Sequence, residues 1–278
     1  MKFSLKDKVV LITGASGGVG GASSRVLHAA GARVVVTDIS QVAVDKLASE
    51  IGGDRVLSLG LDVTDRSAAD AAVAETIRRF GGLDMVFANA GIACNPPKTI
   101  ASMDEATFEN VIEVNLLGVC RTVRACLPQI KKRQGHVLVT ASIYSFLNGA
   151  ANAPYAMSKA GVEMFARALR TELAGTGATA GTLYPGWVAT PMARPAFGGN
   201  ETATKLLATV FPWPFNKAIQ PEAVARAMLR GVQQRAPRIM VPRRWIPFSY
   251  LRGFANALSD WRLDRDSEVH ALLRKFET

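Results

Sequence analysis

The strongest constraint on this chain is an apolar strand that runs directly into a glycine cluster. Lys8-Val9-Val10-Leu11-Ile12-Thr13 is short, β-branched and unbroken by polar residues, the pattern of a strand buried on both faces. Thr13-Gly14-Ala15-Ser16-Gly17-Gly18-Val19-Gly20 follows, and a segment of helical length comes next. In that position a glycine-rich turn brings backbone N–H groups against a pyrophosphate, with the partial positive charge of a helix N-terminus behind them. A side chain at Gly14, Gly18 or Gly20 would obstruct the turn or the close approach. The spacing is Gly-x-x-x-Gly-x-Gly, and its place between a strand and a helix is what separates it from an ordinary loop.

Further strands are expected at Arg33–Thr37, Arg55–Leu59, Met85–Ala88, His136–Thr140 and Thr179–Tyr184, each separated from the next by a helical length of chain. Such alternation builds βαβ units, and right-handed crossovers assemble them into one parallel sheet with helices on both faces. The fold class is therefore α/β, doubly wound (Rossmann), with a C-terminal helical extension. From Pro191 to Pro221 prolines recur and Gly198-Gly199-Asn200 makes a turn, so 191–220 is read as a long loop or lid. A helix over Pro221–Val232 and a strand over Arg238–Val241 bring the chain back to the sheet. Residues 1–242 are then one catalytic domain and 243–278 a helical tail.

Asp38 ends the second strand eighteen residues after Gly20, where a carboxylate accepts both ribose hydroxyls of an adenosine. It would repel a 2′-phosphate, and Ala15, Ser16 and Ile39 supply no compensating cation. NAD is the expected cofactor. The competing reading of Asp38 is a helix N-cap before Ser40.

Tyr155 and Lys159 are four apart, so a helix points both to one face about a turn apart. A phenol titrates near ~10 and is a poor base at neutral pH. A cation held nearby favours phenolate, so Lys159, together with the positive nicotinamide of NAD+, moves Tyr155 toward the working range. Ser142 ends the strand Val137-Leu138-Val139-Thr140-Ala141, where its hydroxyl can donate to a substrate oxygen.

With these residues in order, the chain resembles the short-chain dehydrogenase/reductase family of the ordinary single-domain type, from about Leu5 to Val241. The resemblance implies that Thr13 to Gly20, including Ser16, Gly17 and Val19, form the cofactor loop. Asp62 and Val63 would contact adenine, and Asn89-Ala90-Gly91 would be the strand-stabilising motif. Pro185, Gly186, Val188 and Thr190 would lie on the nicotinamide side. It also implies a catalytic tetrad of Asn115, Ser142, Tyr155 and Lys159. In it Lys159 binds the nicotinamide ribose and Asn115 holds a water linking Lys159 to solvent. Members of this family are commonly homodimers or homotetramers. An NAD-binding regulator without turnover is the alternative function, but both Tyr155 and Lys159 are present. A nucleotide-sugar epimerase would carry a longer substrate domain.

Composition excludes other classes. The formal charge is +10, yet residues 1–189 hold 19 Lys and Arg against 16 acids while 190–278 hold 14 against 7. The excess thus belongs mainly to the last third, and no nucleic-acid motif accompanies it. His28, His136 and His270 share no metal-ligand spacing, so no metal is expected. Cys94, Cys120 and Cys126 lack CxxC or framework spacing and read as reduced thiols of a cytoplasmic chain. The start Met1-Lys2-Phe3 lacks the apolar run of a secretory signal. Asp104, Glu105, Glu109 and Glu113 read as a solvated or subunit-facing helix side rather than a site.

Tyr144, Phe146, Leu147, Trp187, Met192, Pro195, Phe197, Phe211, Trp213 and Phe215 are candidates for a hydrophobic substrate pocket or for lid packing. With no arginine beside Ser142 or Tyr155 to clamp a carboxylate, the expected substrate is an apolar secondary alcohol or ketone. In the tail, Leu251, Phe254, Leu258 and Trp261 fall on one helical stripe flanked by arginines. The stripe packs either on the protein's own lid or a neighbouring subunit, or on a membrane surface as a peripheral contact.

Overall fold

The computed structural model describes residues 3–277, so Met1 and Lys2 of the start read as lacking a secretory signal, and Thr278 of the tail, lie outside the described residues. Seven parallel strands form one sheet: β1 (Val9–Thr13), β2 (Arg33–Asp38), β3 (Val56–Gly60), β4 (Met85–Ala88), β5 (His136–Thr140), β6 (Thr179–Pro185) and β7 (Arg238–Val241). Their order is β3-β2-β1-β4-β5-β6-β7. The chain therefore winds outward from β1 to β3, then crosses back to β4 on the other side of β1. A crevice opens at that reversal, beyond the carboxyl ends of the strands. Strand limits differ from the sequence expectation by a residue, because ladder hydrogen bonds rather than apolarity decide the ends.

Both faces of the sheet are buried, and the two-residue period divides the strands between them. Val9, Leu11, Val86, Val137 and Val139 face one core, beneath α3 (Arg66–Phe80), α5 (Val119–Lys132) and α6 (Ala153–Glu172). Val10, Ile12, Phe87 and Leu138 face the other, beneath α1 (Gly18–Ala29), α2 (Gln41–Ile51) and α8 (Pro221–Gln233). At the amino edge, fully buried Asp84 accepts from the Val9 N–H (3.0 Å), Lys8 Nζ (2.9 Å) and Arg133 Nε (3.0 Å). Burial alone would push its carboxyl up, but these donors outweigh that and hold it below the usual carboxylate value. Asp104 caps α4 (Glu105–Ile112) through the Thr107 N–H and Glu113 pairs with Arg121, while Glu105 and Glu109 are exposed on the helix.

The excursion after β6 is partly helical, which corrects the reading of 191–220 as loop. A 3₁₀ segment spans Pro191–Ala196, and α7 spans Glu201–Val210. Asn200 caps α7 by accepting from the Ala203 N–H (2.9 Å). The excursion is tied at its base by reciprocal bonds, Ala189 N–H to the Ile219 carbonyl and Ile219 N–H to the Trp187 carbonyl, each 2.9 Å.

The tail forms α9 (Ile246–Leu263) and α10 (Ser267–Arg274), and buried Val269 and Leu272 seat α10, which packs on α7. The stripe of α9 does not pack on the 191–220 excursion: Leu251, Phe254, Leu258 and Trp261 are exposed. Polar partners on α6 and on the segment after Ser142 take up the opposite face of α9, and that fixes the stripe outward.

Candidate active site

The carboxyl edge of the sheet opens into a cleft of about 450 Å³. Every residue expected in the cofactor site lines it, as do Ser142, Tyr155 and Lys159. The glycine loop has the geometry the sequence requires. Gly14 has φ +64°, and a Cβ there would lie 2.7 Å from Ala90 Cα. A Cβ on Gly20 would lie 2.1 Å from the Gly14 carbonyl oxygen, and one on Gly18 would lie 2.6 Å from Thr190 Cγ2. The turn thus closes only around glycine, and it opens α1 with no side-chain cap, leaving the helix end to an anionic ligand.

Asp38 Oδ2 accepts from the Ser16 N–H (3.2 Å) and Ser16 Oγ (2.6 Å), which holds the carboxylate beside the glycine loop. Asp38 is not a helix cap, since Ser40 caps α2 by accepting from the Ala43 N–H. Asn89 joins three strand ends: its Nδ2 donates to the Thr13 and Gly14 carbonyls, and its Oδ1 accepts from Thr140 Oγ1 (3.1 Å). Asp62 Oδ1 accepts from the Thr64 N–H (2.9 Å), fixing the turn that carries Val63. A pyrophosphate-sized cradle, a carboxylate at the second strand and a pinned third wall together fit a dinucleotide.

Lys159 is buried, and its Nζ donates to the Thr140 carbonyl (2.9 Å) while standing 5.6 Å from the centroid of the Tyr155 ring. Burial lowers its ammonium from 10.5 to about 8. Burial pushes the Tyr155 phenol up, opposed by a hydrogen bond with Ser142. Of these two opposing causes, desolvation of the phenolate is the larger.

Asn115 is the one member of the expected tetrad that does not line the cleft; it is fully buried behind it. It sits in a π-helical turn, Glu113–Gly118, between α4 and α5. Its Oδ1 accepts from the Ile92 N–H (2.7 Å), and its Nδ2 donates to the Ile92 carbonyl (2.8 Å) and to Ser158 Oγ (3.2 Å). A Cβ on Gly91 would come within 3.1 Å of Asn115 Oδ1 and 3.3 Å of Lys159 Nζ, so a side chain there would press on both.

Sequence reasoning missed Thr140, whose carbonyl receives Lys159, and Ser145, whose Oγ donates to the Lys159 carbonyl (2.8 Å). Ser145 had a signal: it stands three residues after Ser142 and completes a capping box with it. Of the aromatic candidates, Tyr144 and Trp187 line the cleft with Met192, and Tyr144 meets both Tyr155 (5.7 Å) and Trp187 (5.6 Å) edge-on. Phe211 and Phe215 instead pack with Trp245, joining the excursion after β6 to the segment that leads into α9.

The low value for Lys159 gives stability a signed pH dependence. Below about pH 8 folded and unfolded chains both carry the ammonium, and its burial cost is borne in full. Between about 8 and 10.5 the folded chain has released a proton that the unfolded chain keeps, so stability rises with pH. Relative to Lys159→Met, the cofactor-free wild type should gain on the order of 3 kcal/mol across that window. Denaturant unfolding of both proteins from pH 7 to 10.5 measures it, and a flat difference would exclude a depressed lysine.

The short chain dehydrogenase family model matches residues 8–200. Momilactone A synthase of Oryza sativa subsp. japonica is 35% identical over 204 residues, covering 73% of this chain and 74% of the relative. The 3-oxoacyl-(acyl-carrier-protein) reductase of Vibrio cholerae is 32% identical over 227 residues, covering 81% and 90%. Among solved structures, 3-ketoacyl-(acyl-carrier-protein) reductase from Brucella melitensis complexed with NADH superposes with a TM-score of 0.76 at 27% identity, covering 86% of this chain and 98% of its own. The glycine loop, the Tyr155–Lys159 pair, the sheet order and these matches agree: the chain belongs to the short-chain dehydrogenases and is an oxidoreductase of that family.

Proposed function

We propose that the protein interconverts an apolar secondary alcohol and its ketone with NAD(H). The observation that carries this reading is the single cleft in which Ser142, Tyr155 and Lys159 stand beside the glycine loop and Asp38. The loop from Gly14 to Gly20 would hold the pyrophosphate, Asp38 the ribose, and Asp62 and Val63 the adenine. Asn89, Ala90, Gly91, Pro185, Gly186, Val188 and Thr190 would border the nicotinamide half. When bound, NAD supplies the hydride acceptor or donor.

The remaining chemistry is the protein's. Tyr155 Oη takes the alcohol proton in oxidation and returns it in reduction. Lys159 sets the field around that phenol, and Ser142 donates to the substrate oxygen as charge develops on it. Asn115 fixes the Ile92 backbone beside Gly91 and so positions the lysine end of the cleft. The family's water relay from Lys159 past Asn115 to solvent is part of the same proposal.

Tyr144, Trp187, Met192, Ile92 and Ala93 give the substrate side apolar walls, and among the described residues no arginine lines the cleft to clamp a carboxylate. A relative named for reducing a 3-oxoacyl group supports a ketone or alcohol at the reacting carbon. Residues 1–242 would be the catalytic domain, with 191–220 as its lid and 243–278 as an added tail. Exposed Leu117, Met157 and Met164 supply apolar surface for a homodimer or homotetramer. The free cysteines Cys94, Cys120 and Cys126 fit a cytoplasmic setting.

A panel of alcohols and ketones assayed with NAD(H) and NADP(H) in parallel tests this. Turnover of hydrophobic secondary alcohols is expected. A clear preference for hydroxy acids or free sugars would refute the substrate class, and cofactor binding without turnover on any of them would favour a non-catalytic NAD-binding regulator.

A further inference from the structure

Helix α9 packs inward through Phe248 in its first turn, but beyond it meets the protein largely through polar side chains and leaves an apolar stripe facing away, the reverse of an ordinary surface helix. On the inner face Arg252 Nη1 donates to both carboxylate oxygens of Glu163 (2.8 and 3.0 Å), a side chain only 4% exposed on the helix that carries Tyr155. The Asn256 amide nitrogen donates to the Phe146 carbonyl (2.8 Å), Asp260 accepts from Asn148 Nδ2 (3.1 Å), and Arg262 donates to the Thr209 carbonyl (2.9 Å). These polar contacts hold α9 in one rotation about its axis. The outer face then shows Tyr250 (74% exposed), Leu251 (62%), Phe254 (77%), Leu258 (57%) and Trp261 (56%). Trp213, just before the Phe215 that packs on Phe248 of α9, is 80% exposed. A contiguous apolar face of this kind marks a contact surface.

Its borders say what covers it. The Arg265 guanidinium lies over the Trp261 ring (4.8 Å to the centroid), and that of Arg238, which shares the Glu163 carboxylate with Arg252, stands by the Tyr250 ring (5.8 Å), so both ends of the stripe carry a cation beside an aromatic. Exposed Arg243 lies just before the helix. Of the acids nearby, Glu268 pairs with Lys205 (3.4 Å) and Asp266 with Arg262 (3.9 Å), while Asp260 accepts from Asn148 and Asp264 is exposed; over residues 190–278 Lys and Arg still outnumber the acids 14 to 7. A second copy pairing through this stripe about a two-fold axis would bring the same basic borders together. An anionic lipid surface meets them with opposite charge, and the rings lie at headgroup depth. Among the described residues no helix is long and apolar enough to cross a membrane, so the contact lies along the surface.

We propose that α9 seats the protein on an anionic membrane surface, its axis parallel to the bilayer and Tyr250, Leu251, Phe254, Leu258 and Trp261 in the interface. This contact is separate from turnover and does not depend on the substrate assigned above.

Co-sedimentation of the full chain with phosphatidylglycerol/phosphatidylcholine vesicles, and with phosphatidylcholine alone, tests it against the Phe254→Ser/Trp261→Ser double variant. Both positions are exposed, so the variant should fold, and unchanged NADH binding verifies that. Expected are binding to the anionic vesicles, weakening as salt shortens the screening length from about 10 Å at 0.1 M to about 3 Å at 1 M, and a loss of about tenfold or more in the variant. Absence of wild-type binding, or binding undiminished in the variant, would overturn the proposal. So would an oligomer in sedimentation equilibrium that falls apart in the variant while the wild type ignores vesicles, which would make the occupant a second copy.

Discussion

Replacing Tyr155 with phenylalanine is expected to lower turnover by about two to four orders of magnitude, the range of one positioned acid–base group, while leaving NADH affinity close to wild type. The substitution removes a single oxygen. The ring keeps its edge contact with Tyr144, and Lys159 keeps its bond to the Thr140 carbonyl. The fold and the cofactor cradle therefore have no reason to change. What disappears is the phenolic proton and the partner of Ser142. Steady-state kinetics on a substrate found by the panel, with NADH binding followed by fluorescence, measure both sides of the expectation. Near-wild-type turnover in Tyr155→Phe would show that the proton moves elsewhere. Loss of NADH binding would show instead that the hydroxyl is structural.

The second large effect concerns the choice of cofactor. The wild type is expected to bind NADH well ahead of NADPH, and Asp38→Asn to shrink that preference by about one to two orders of magnitude, since a hydrogen bond to a charged group is worth about 1.5–3 kcal/mol. Ser16 already donates to Asp38 Oδ2 twice, which keeps the carboxylate aligned before any ligand arrives. Asparagine retains an acceptor for Ser16 but loses the negative charge that would meet a 2′-phosphate. Because Ser40 rather than Asp38 caps α2, the change does not unravel that helix. Titration of both proteins with both cofactors decides the matter. Equal wild-type affinities, or a preference for NADPH, would remove Asp38 from the role assigned to it.

Much of this protein is written in local spacing. The two-residue alternation of the strands, the glycine turn closing β1, and the four-residue step from Tyr155 to Lys159 each depend on neighbours only a few positions apart, so they can be read from the chain alone. The excursion after β6 is less legible: prolines and a Gly-Gly-Asn turn point to a loop over 191–220, while Asn200 caps a helix inside it. Ser145 beside Ser142 was visible in principle, as a capping box, and went unread.

Other features had no local signature. The position of Asn115 behind the cleft depends on the Ile92 backbone, 23 residues earlier in the chain. The value near 8 at Lys159 comes from desolvation by a site assembled from several strand ends. The rotation of α9 follows from an ion pair with Glu163, 89 residues away. Periodicity in the sequence determined which residues of each element lie on a common face, because backbone geometry alone sets that. Only the tertiary structure decided what each face meets, because burial and pairing are set by contacts between distant parts of the chain: in α9 Arg252 meets the buried Glu163 carboxylate while the apolar stripe stays exposed.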